Sequence, residues 1–281
     1  LKFSEARIMI RDITLGQFYP GNSWVHKLDP RVKIIATLLF LIELFIVNDF
    51  LGFAIAAVVL GVIIAVSKVP LSFIVRGLKP ILILLLFTFA LNIFMINGEV
   101  LWSWGFLHIT REGIRTAIFM AVRLILLIIG SSMLTLCTRP LSLTDGIERL
   151  LSPFKKIGLP AHEIAMMMTI ALRFIPTLLD ETDKIMKAQQ ARGADFEHGN
   201  LESGSVIRRA KSLIPILVPL FVSAFRIAQD LAMAMEARCY RGGEHRTRMH
   251  EMKLKGRDYA AIVMQAVFLA IIIIEANFAP W

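Results

Sequence analysis

The stretch IAMMMTIALRFIPTLLDETDKIMKAQQARG, residues 164–193, decides how this 281-residue chain is read. Its first half is apolar enough to suggest a membrane span, but it is marginally short. Arg173 and Pro176 interrupt it, and charges resume at Asp180. Ile164, Met167, Met168, Ala171, Phe174, Ile175, Leu178 and Leu179 recur at three- and four-residue spacing, which places a broad apolar face on one helix. The spacing predicts a long amphipathic helix over roughly residues 161–192 at a membrane boundary, one end wanting lipid or protein and the other water or a polar partner. SLIPILVPLFVSAF, residues 212–225, repeats the plan. Pro215 and Pro219 interrupt it, and Leu213, Ile216, Leu217, Leu220, Ala224, Ile227 and Leu231 line one face of a second helix over roughly 205–238. Reading both as spanning helices preserves the orientation of the chain, and that alternative stays open. A shorter helix is expected before them, with Ser142 as its cap, Ile147, Leu150 and Leu151 on its apolar side, and a stop at Ser152–Pro153.

The rest of the chain reads as membrane. It is 56% hydrophobic with a mean hydropathy of +0.67, against about 45–50% apolar residues, glycine included, in a soluble domain. Apolar runs at 32–47, 51–67, 80–97, 117–137 and 259–274 are the spanning candidates, several near the short end of the roughly 17–25 residues that a bilayer core requires. Lys33, Lys68 and Arg139 flank them and are expected to snorkel. Arg7, Arg11, Lys27, Arg31 and Lys33 precede or open the first run, and Lys68, Arg76 and Lys79 lie between the second and third, so both segments are expected on the cytosolic side. GEVLWSWGFLHITREG then falls outside, with Trp102 and Trp104 as interfacial anchors. The N-terminal LKFSEARIMIRDITLGQF has scattered charges and no apolar core of a leader, and predicts a cytosolic N-terminus. The expected fold is an all-α integral membrane protein: residues 1–138 with four transmembrane helices, a cytosolic domain of long amphipathic helices over 139–257, and a fifth span in 258–281.

The net charge of +9 is that of basic cytosolic loops, and nucleic acid is not expected as a partner. Cys137 and Cys239 have neither the number nor the spacing of a disulfide framework or zinc site. No Gly-x-x-x-x-Gly-Lys-Ser/Thr loop occurs, so ATP hydrolysis is not expected of this chain. His162, His198, His245 and His250 form no ligand repeat, and no paired-carboxylate or Ser-His-Asp site can be argued from spacing. Glu43 and Arg123 fall inside spans, where an ionisable group suggests function; a structural ion pair or helix-packing role is the better reading of both. The methionines of the long helices, Met166 to Met168, Met186, Met233 and Met235, suit either core gap-filling or contact with variable partners.

Both long helices end alike, on AQQARGADF (188–196) and AMEARCYRGG (234–243). A cation at a helix C-terminus followed by Gly is ordinary termination. Two matched endings are not so easily explained. Aligning Arg192 with Arg238 also aligns Ala191 with Ala237, Ala188 with Ala234 and Ile185 with Leu231. Small residues beside each arginine would let a partner approach the guanidinium closely.

With LDPRVKI at the first span, the short spans, the charged helical segment and the paired Ala-Arg-small endings, the whole chain resembles the transmembrane coupling subunit, or T component, of energy-coupling factor transporters. The resemblance implies a non-catalytic subunit in the plasma membrane of a prokaryote, working with two cytosolic ATP-binding-cassette ATPases and a membrane-embedded S component that captures a vitamin or metal ion. It implies ATPase docking through Ala191, Arg192, Gly193 and Ala237, Arg238, Cys239. It also implies S-component contacts along Met167, Met168, Ala171, Phe174, Leu178, Leu213, Leu217 and Leu220. ATP and Mg would sit on the partner ATPases, leaving this chain without a cofactor. Cys239 departs from the Gly of the first ending, which puts the conformation of the second helix end in question. A stand-alone secondary transporter or an intramembrane enzyme are the competing readings.

Overall fold

The computed structural model describes residues 18–47, 49–96, 98–104, 107–153, 160–193, 206–242 and 254–278. The N-terminal segment read as cytosolic, most of the basic tail after Gly242, and His198, His245 and His250 lie outside them.

LDPRVK opens the first helix, α1 (Pro30–Ile46), for local reasons. The Asp29 carboxylate accepts the Arg31 N–H at 2.9 Å, and Pro30 at the first position has the φ a helix needs and no N–H to leave bare. Helix α2 (Phe50–Ser67) ends on Lys68 in the left-handed region, φ 58°, and Val69–Pro70 turn the chain into α3 (Leu71–Leu78). A 3₁₀ turn at Lys79–Ile81, where Pro80 has no N–H to donate, joins α3 to α4 (Leu82–Met95). The third span therefore starts earlier than the expected residue 80, and Arg76 and Lys79 belong to this helical run rather than to a loop.

A short antiparallel hairpin follows, β1 (Val100–Trp104) with β2 (Leu107–Thr110), bulged between Val100 and Trp102. It is the one pair of strands among the described residues, and the alternation in Trp102-Ser103-Trp104 and Leu107-His108-Ile109-Thr110 is too short to set it apart from a loop in the sequence. The side chains of Trp102 and Trp104 are outside the description. Thr110 caps α5 (Arg111–Cys137) by accepting the Gly113 N–H at 3.0 Å. Helix α6 (Pro140–Leu151) is the short helix expected after the fourth span, but it begins at Pro140, so Ser142 lies in its first turn and is not its cap. The two long helices are α7 (Ala161–Ala191) and α8 (Val206–Ala237), each within one residue of its expected bounds and each continuous through its prolines. Helix α9 (Gly256–Phe278) closes the chain.

Two compact units result. The membrane unit holds α1–α6, the hairpin and α9, and its core runs through Phe40, Leu44, Phe53, Leu60, Leu126, Met133, Leu136, Phe268 and Ile272. Gly130 lets α5 reach α1, since a Cβ there would lie 2.6 Å from the Phe40 ring. Around this core the outer faces stay apolar: Leu82, Ile83, Leu84, Leu86 and Phe87 of α4 are all exposed, as lipid-facing residues are. The second unit holds α7 and α8.

Six helical runs among the described residues are long and apolar enough to cross a membrane: 50–67, 71–95, 111–137, 162–191, 214–237 and 256–275. The fold is thus that of an all-α integral membrane protein. By length α1, with 17 residues, falls just short, while α7 and α8 qualify as the two least apolar of the six. Length and composition do not decide between spanning and boundary helices for α7 and α8, because each carries its apolar stretch inside a longer charged one.

Candidate functional site

The two tips of the second unit share two backbone hydrogen bonds and a left-handed residue after the arginine. At the end of α7 the Arg192 N–H donates to the Gln189 carbonyl at 3.1 Å and the Gly193 N–H to Gln190 at 2.9 Å. At the end of α8 the Arg238 N–H donates to Met235 at 3.1 Å and the Cys239 N–H to Glu236 at 2.8 Å. In both, the residue after the arginine turns left-handed, φ 88° for Gly193 and 56° for Cys239. The Tyr240 N–H returns to Met235 at 3.1 Å, completing a Schellman termination at the second tip. Cys239 therefore adopts the backbone that glycine gives the first tip, against a steric cost of about 1–2 kcal/mol. The question raised by that substitution is answered by its φ.

Exposure is matched as well. Ala188, Ala191, Arg192 and Gly193 are exposed, as are Ala234, Ala237, Arg238 and Cys239, whereas Ile185 and Leu231 are half-buried in both helices. Each arginine thus has exposed alanines one and four residues before it. Glu181 joins the helices: its Oε1 accepts from Ser223 Oγ at 3.4 Å and its Oε2 from Lys184 Nζ at 3.3 Å. Arg192 lies about 17 Å of helix beyond Glu181, and Arg238 about 23 Å beyond Ser223. The charged tips are the ends of long continuous helices rather than of loops.

The apolar residues of these helices divide by exposure. Met167 (59%), Met168, Ala171 and Leu217 are exposed, and Phe174, Leu178 and Leu220 are half-buried. The side chain of Leu213 is outside the description. Only Ala165 and Ile216 are buried apolar residues of this unit among those described.

Polar groups of the membrane unit serve packing. Glu43, 1% exposed, accepts from Gln265 Nε2 at 3.0 and 2.9 Å, which ties α1 to α9. Arg123 Nη2 donates to the Val47 carbonyl at 2.7 Å, and its guanidinium stands 5.5 Å from the Phe53 ring. The helix-packing reading holds for both. Lys33 does not snorkel: it is buried, and its ammonium donates to the carbonyls of His26 at 3.0 Å and Cys137 at 2.9 Å. The latter is the last residue of α5, whose negative helix end a cation complements. Arg139 lies over the Phe18 ring at 5.6 Å.

The segment before α1 is stitched down around these groups. The Tyr19 N–H donates to the Leu136 carbonyl at 3.0 Å. His26 Nε2 donates to the Tyr19 carbonyl at 3.1 Å, so its Nδ1 accepts from Ser23 Oγ at 2.7 Å. Burial, with the Lys33 charge adding to it, lowers the His26 pKa despite the Tyr19 bond. The Asp29 carboxyl is also held below its ordinary range: burial opposes ionisation, but two hydrogen bonds and the charge of Arg31 outweigh it. Asp258 was missed in the sequence. It is 2% exposed, and its carboxylate accepts the Asp29 N–H at 2.8 Å and the Lys255 N–H at 2.7 Å. An acid opening a span is a common cap, and nothing in its neighbours points to a partner 229 residues away. Among the described residues no three His, Cys, Asp or Glu side chains converge as metal ligands would.

Apolar helices of spanning length together with two long helices that end alike on an exposed arginine define a multi-pass membrane protein. The family CbiQ, described as cobalt transport protein, matches residues 21–249. Relatives bearing the name energy-coupling factor transporter transmembrane protein EcfT align along nearly the whole chain. The one from Clostridium kluyveri is 60% identical over 269 residues, covering 95% of this chain and 98% of its own. The one from Thermosediminibacter oceani is 57% identical, covering 90% and 94%, and that of Bacillus subtilis 46%, covering 94% and 98%. The chain belongs to this family, the T components of energy-coupling factor transporters, and is a multi-pass membrane protein of a prokaryote.

Proposed function

We propose that the chain is the non-catalytic coupling subunit of an ATP-driven importer, in which Arg192 and Arg238 each dock into one of two cytosolic ATP-binding-cassette ATPases. The observation that carries this reading is the duplicated tip: same backbone turn, same exposed alanines, same exposed arginine. One helix end needs no partner to explain it, whereas two equivalent ends fit two equivalent sites. A guanidinium presented on small residues suits a carboxylate or a cluster of carbonyls in a groove, and the helix behind it carries displacement without bending.

In this reading residues 139–257 and the N-terminus face the cytosol, and ATP and Mg are held by the partner subunits. The apolar residues Met167, Met168, Ala171, Phe174, Leu178, Leu213, Leu217 and Leu220 meet a membrane-embedded S component that holds a vitamin or metal ion. ATPase closure moves the tips and, through the helices, reorients that component. The test is co-purification from membranes with two ATPase subunits, followed by substrate uptake in liposomes. Both are expected of the wild-type chain and are expected to be lost in the Arg192→Ala/Arg238→Ala double variant, which still inserts. Uptake by the purified chain alone, or normal assembly by the double variant, would overturn the proposal.

A further inference from the structure

A cavity of about 110 Å³ lies inside the membrane unit, walled by α1, α2, α5, α9 and the segment before α1. It runs along α1 from Lys33 to Phe40 and along α5 from Cys137 to Gly130, about 10 Å of each helix. Ala36 and Ala261 keep it open, each giving its lining only a methyl. The lining reaches the outside at Met264, 47% exposed, which shares the outer face of α9 with the exposed Val263 and Val267. The volume is too small for a drug- or vitamin-sized ligand, which needs about 300–1,000 Å³. The lining disfavours the smaller polar candidates. Among the described residues its ionisable side chains are Lys33 and Cys137, so a metal ion would meet an ammonium and no carboxylate. An anion would find an ammonium that already gives two of its three N–H bonds to the carbonyls of His26 and Cys137. Water is poorly held where Leu, Ile, Met and Phe dominate the wall.

We infer that this cavity binds one acyl chain of a membrane phospholipid, which enters past Met264 and lays its methylenes against Phe40, Leu60 and Met133. Depth, lining and mouth agree on that occupant. Three of the walls, α2, α5 and α9, are helices of spanning length, and the mouth continues into the exposed apolar face of α9. Hydrocarbon is what the surroundings of such a face supply. A tail in the void gives the lining the dispersion contacts that it otherwise lacks. The headgroup end is marked as well. Trp24 is on the lining, and the exposed Lys27 follows His26, whose carbonyl the Lys33 ammonium bonds. An aromatic and a lysine together suit the level of phospholipid headgroups, which favours a phospholipid over a free fatty acid. The tail also braces the segment before α1, because Trp24, Val25 and Leu28 form part of the wall.

The test places the full chain in nanodiscs containing a phosphatidylglycerol with a diazirine near the methyl end of one acyl chain. After illumination, labelled residues are read by mass spectrometry. Phe40 and Met133, each 5% exposed, are out of reach of bulk lipid and are expected to be labelled through the cavity. Leu84, 58% exposed on α4, is labelled by bulk lipid and serves as the reference. Ala36→Leu fills the cavity and is expected to lower labelling of Met133 relative to Leu84 roughly tenfold, as when about two methylenes lose their burial. Gly61→Ala, where nothing lies within 4 Å of a Cβ, is expected to leave both unchanged. Labelling of Leu84 without Phe40 and Met133 in the wild-type chain overturns the inference, as does undiminished labelling of Met133 in an inserted Ala36→Leu chain. Labelling of Met133 by a diazirine fatty acid and not by the phospholipid overturns the assigned source. Where Ala36→Leu fails to insert, the ratio of Met133 to Leu84 labelling in the wild-type chain still decides the question.

Discussion

The membrane unit and the second unit achieve order by opposite means. In the first, side chains close on one another: Leu44, Ala56 and Ile272 are fully buried, Gly130 admits a ring, and Glu43, Lys33 and Asp258 spend their polar atoms on neighbouring helices. In the second, two long helices bury little of themselves, and their exposed ends are specified to the hydrogen bond. The difference teaches where each unit tolerates change. The membrane unit is sensitive to volume, and the second unit to what stands at two points on its surface.

The contrast breaks most sharply at those points. Arg192→Ala or Arg238→Ala alone is expected to leave the fold intact while each costs about 2–5 kcal/mol of partner affinity, as when one side of a buried charge pair is truncated. Quantitative pull-down with each ATPase separately would show whether each tip serves one subunit; equal retention of both ATPases by both single variants would blur the distinction. Gly130→Leu is expected to act the other way. It drives a side chain into Phe40 and costs about 1–3 kcal/mol of stability, read as a lower unfolding temperature in nanodiscs, with the tips unchanged in hydrogen exchange.

A smaller effect sharpens the likeness of the tips. Cys239→Gly is expected to relieve about 1 kcal/mol at the left-handed position, slowing amide exchange at residues 238–240, whereas Cys239→Val, β-branched at positive φ, is expected to speed it. The smallest effect belongs to the segment before α1. The His26 pKa is depressed in the folded chain, so the unfolded chain binds the extra proton and stability falls as pH drops through the ordinary value of 6.5. Asp29, also depressed, extends that loss as pH falls through its ordinary value near 3.8. His26→Gln is expected to flatten the first step of a stability profile taken from pH 8 down to pH 3 and to leave the second.

Much of this contrast was legible in the sequence. Periodicity located α7 and α8 to within a residue because three- and four-residue spacing continues through Pro176, Pro215 and Pro219, and the repeat of Ala-Arg-small marked the tips. The hairpin at 100–110 was not legible, since its alternation runs over only three and four residues, too few to separate a strand from a loop. Nor was the early start of the third span, because Arg76 and Lys79 look like loop charges until Pro80 proves to be a 3₁₀ turn within a helical run. Lys33 and Asp258 show the deeper limit. A lysine at a membrane edge and an acid at a helix start each have an ordinary local use, and only the packing of distant helices reveals that both are spent elsewhere.

The bond from Asp29 to Asp258 has a consequence in time. A chain emerging from the ribosome at about 5–20 residues per second presents Asp29 long before its acceptor, which lies 229 residues later. For roughly ten seconds to most of a minute that amide waits while four spans, both long helices and their tips are synthesised. The amide at the start of α1 is thus made early and paired late, and a nascent chain without α9 leaves it without that acceptor.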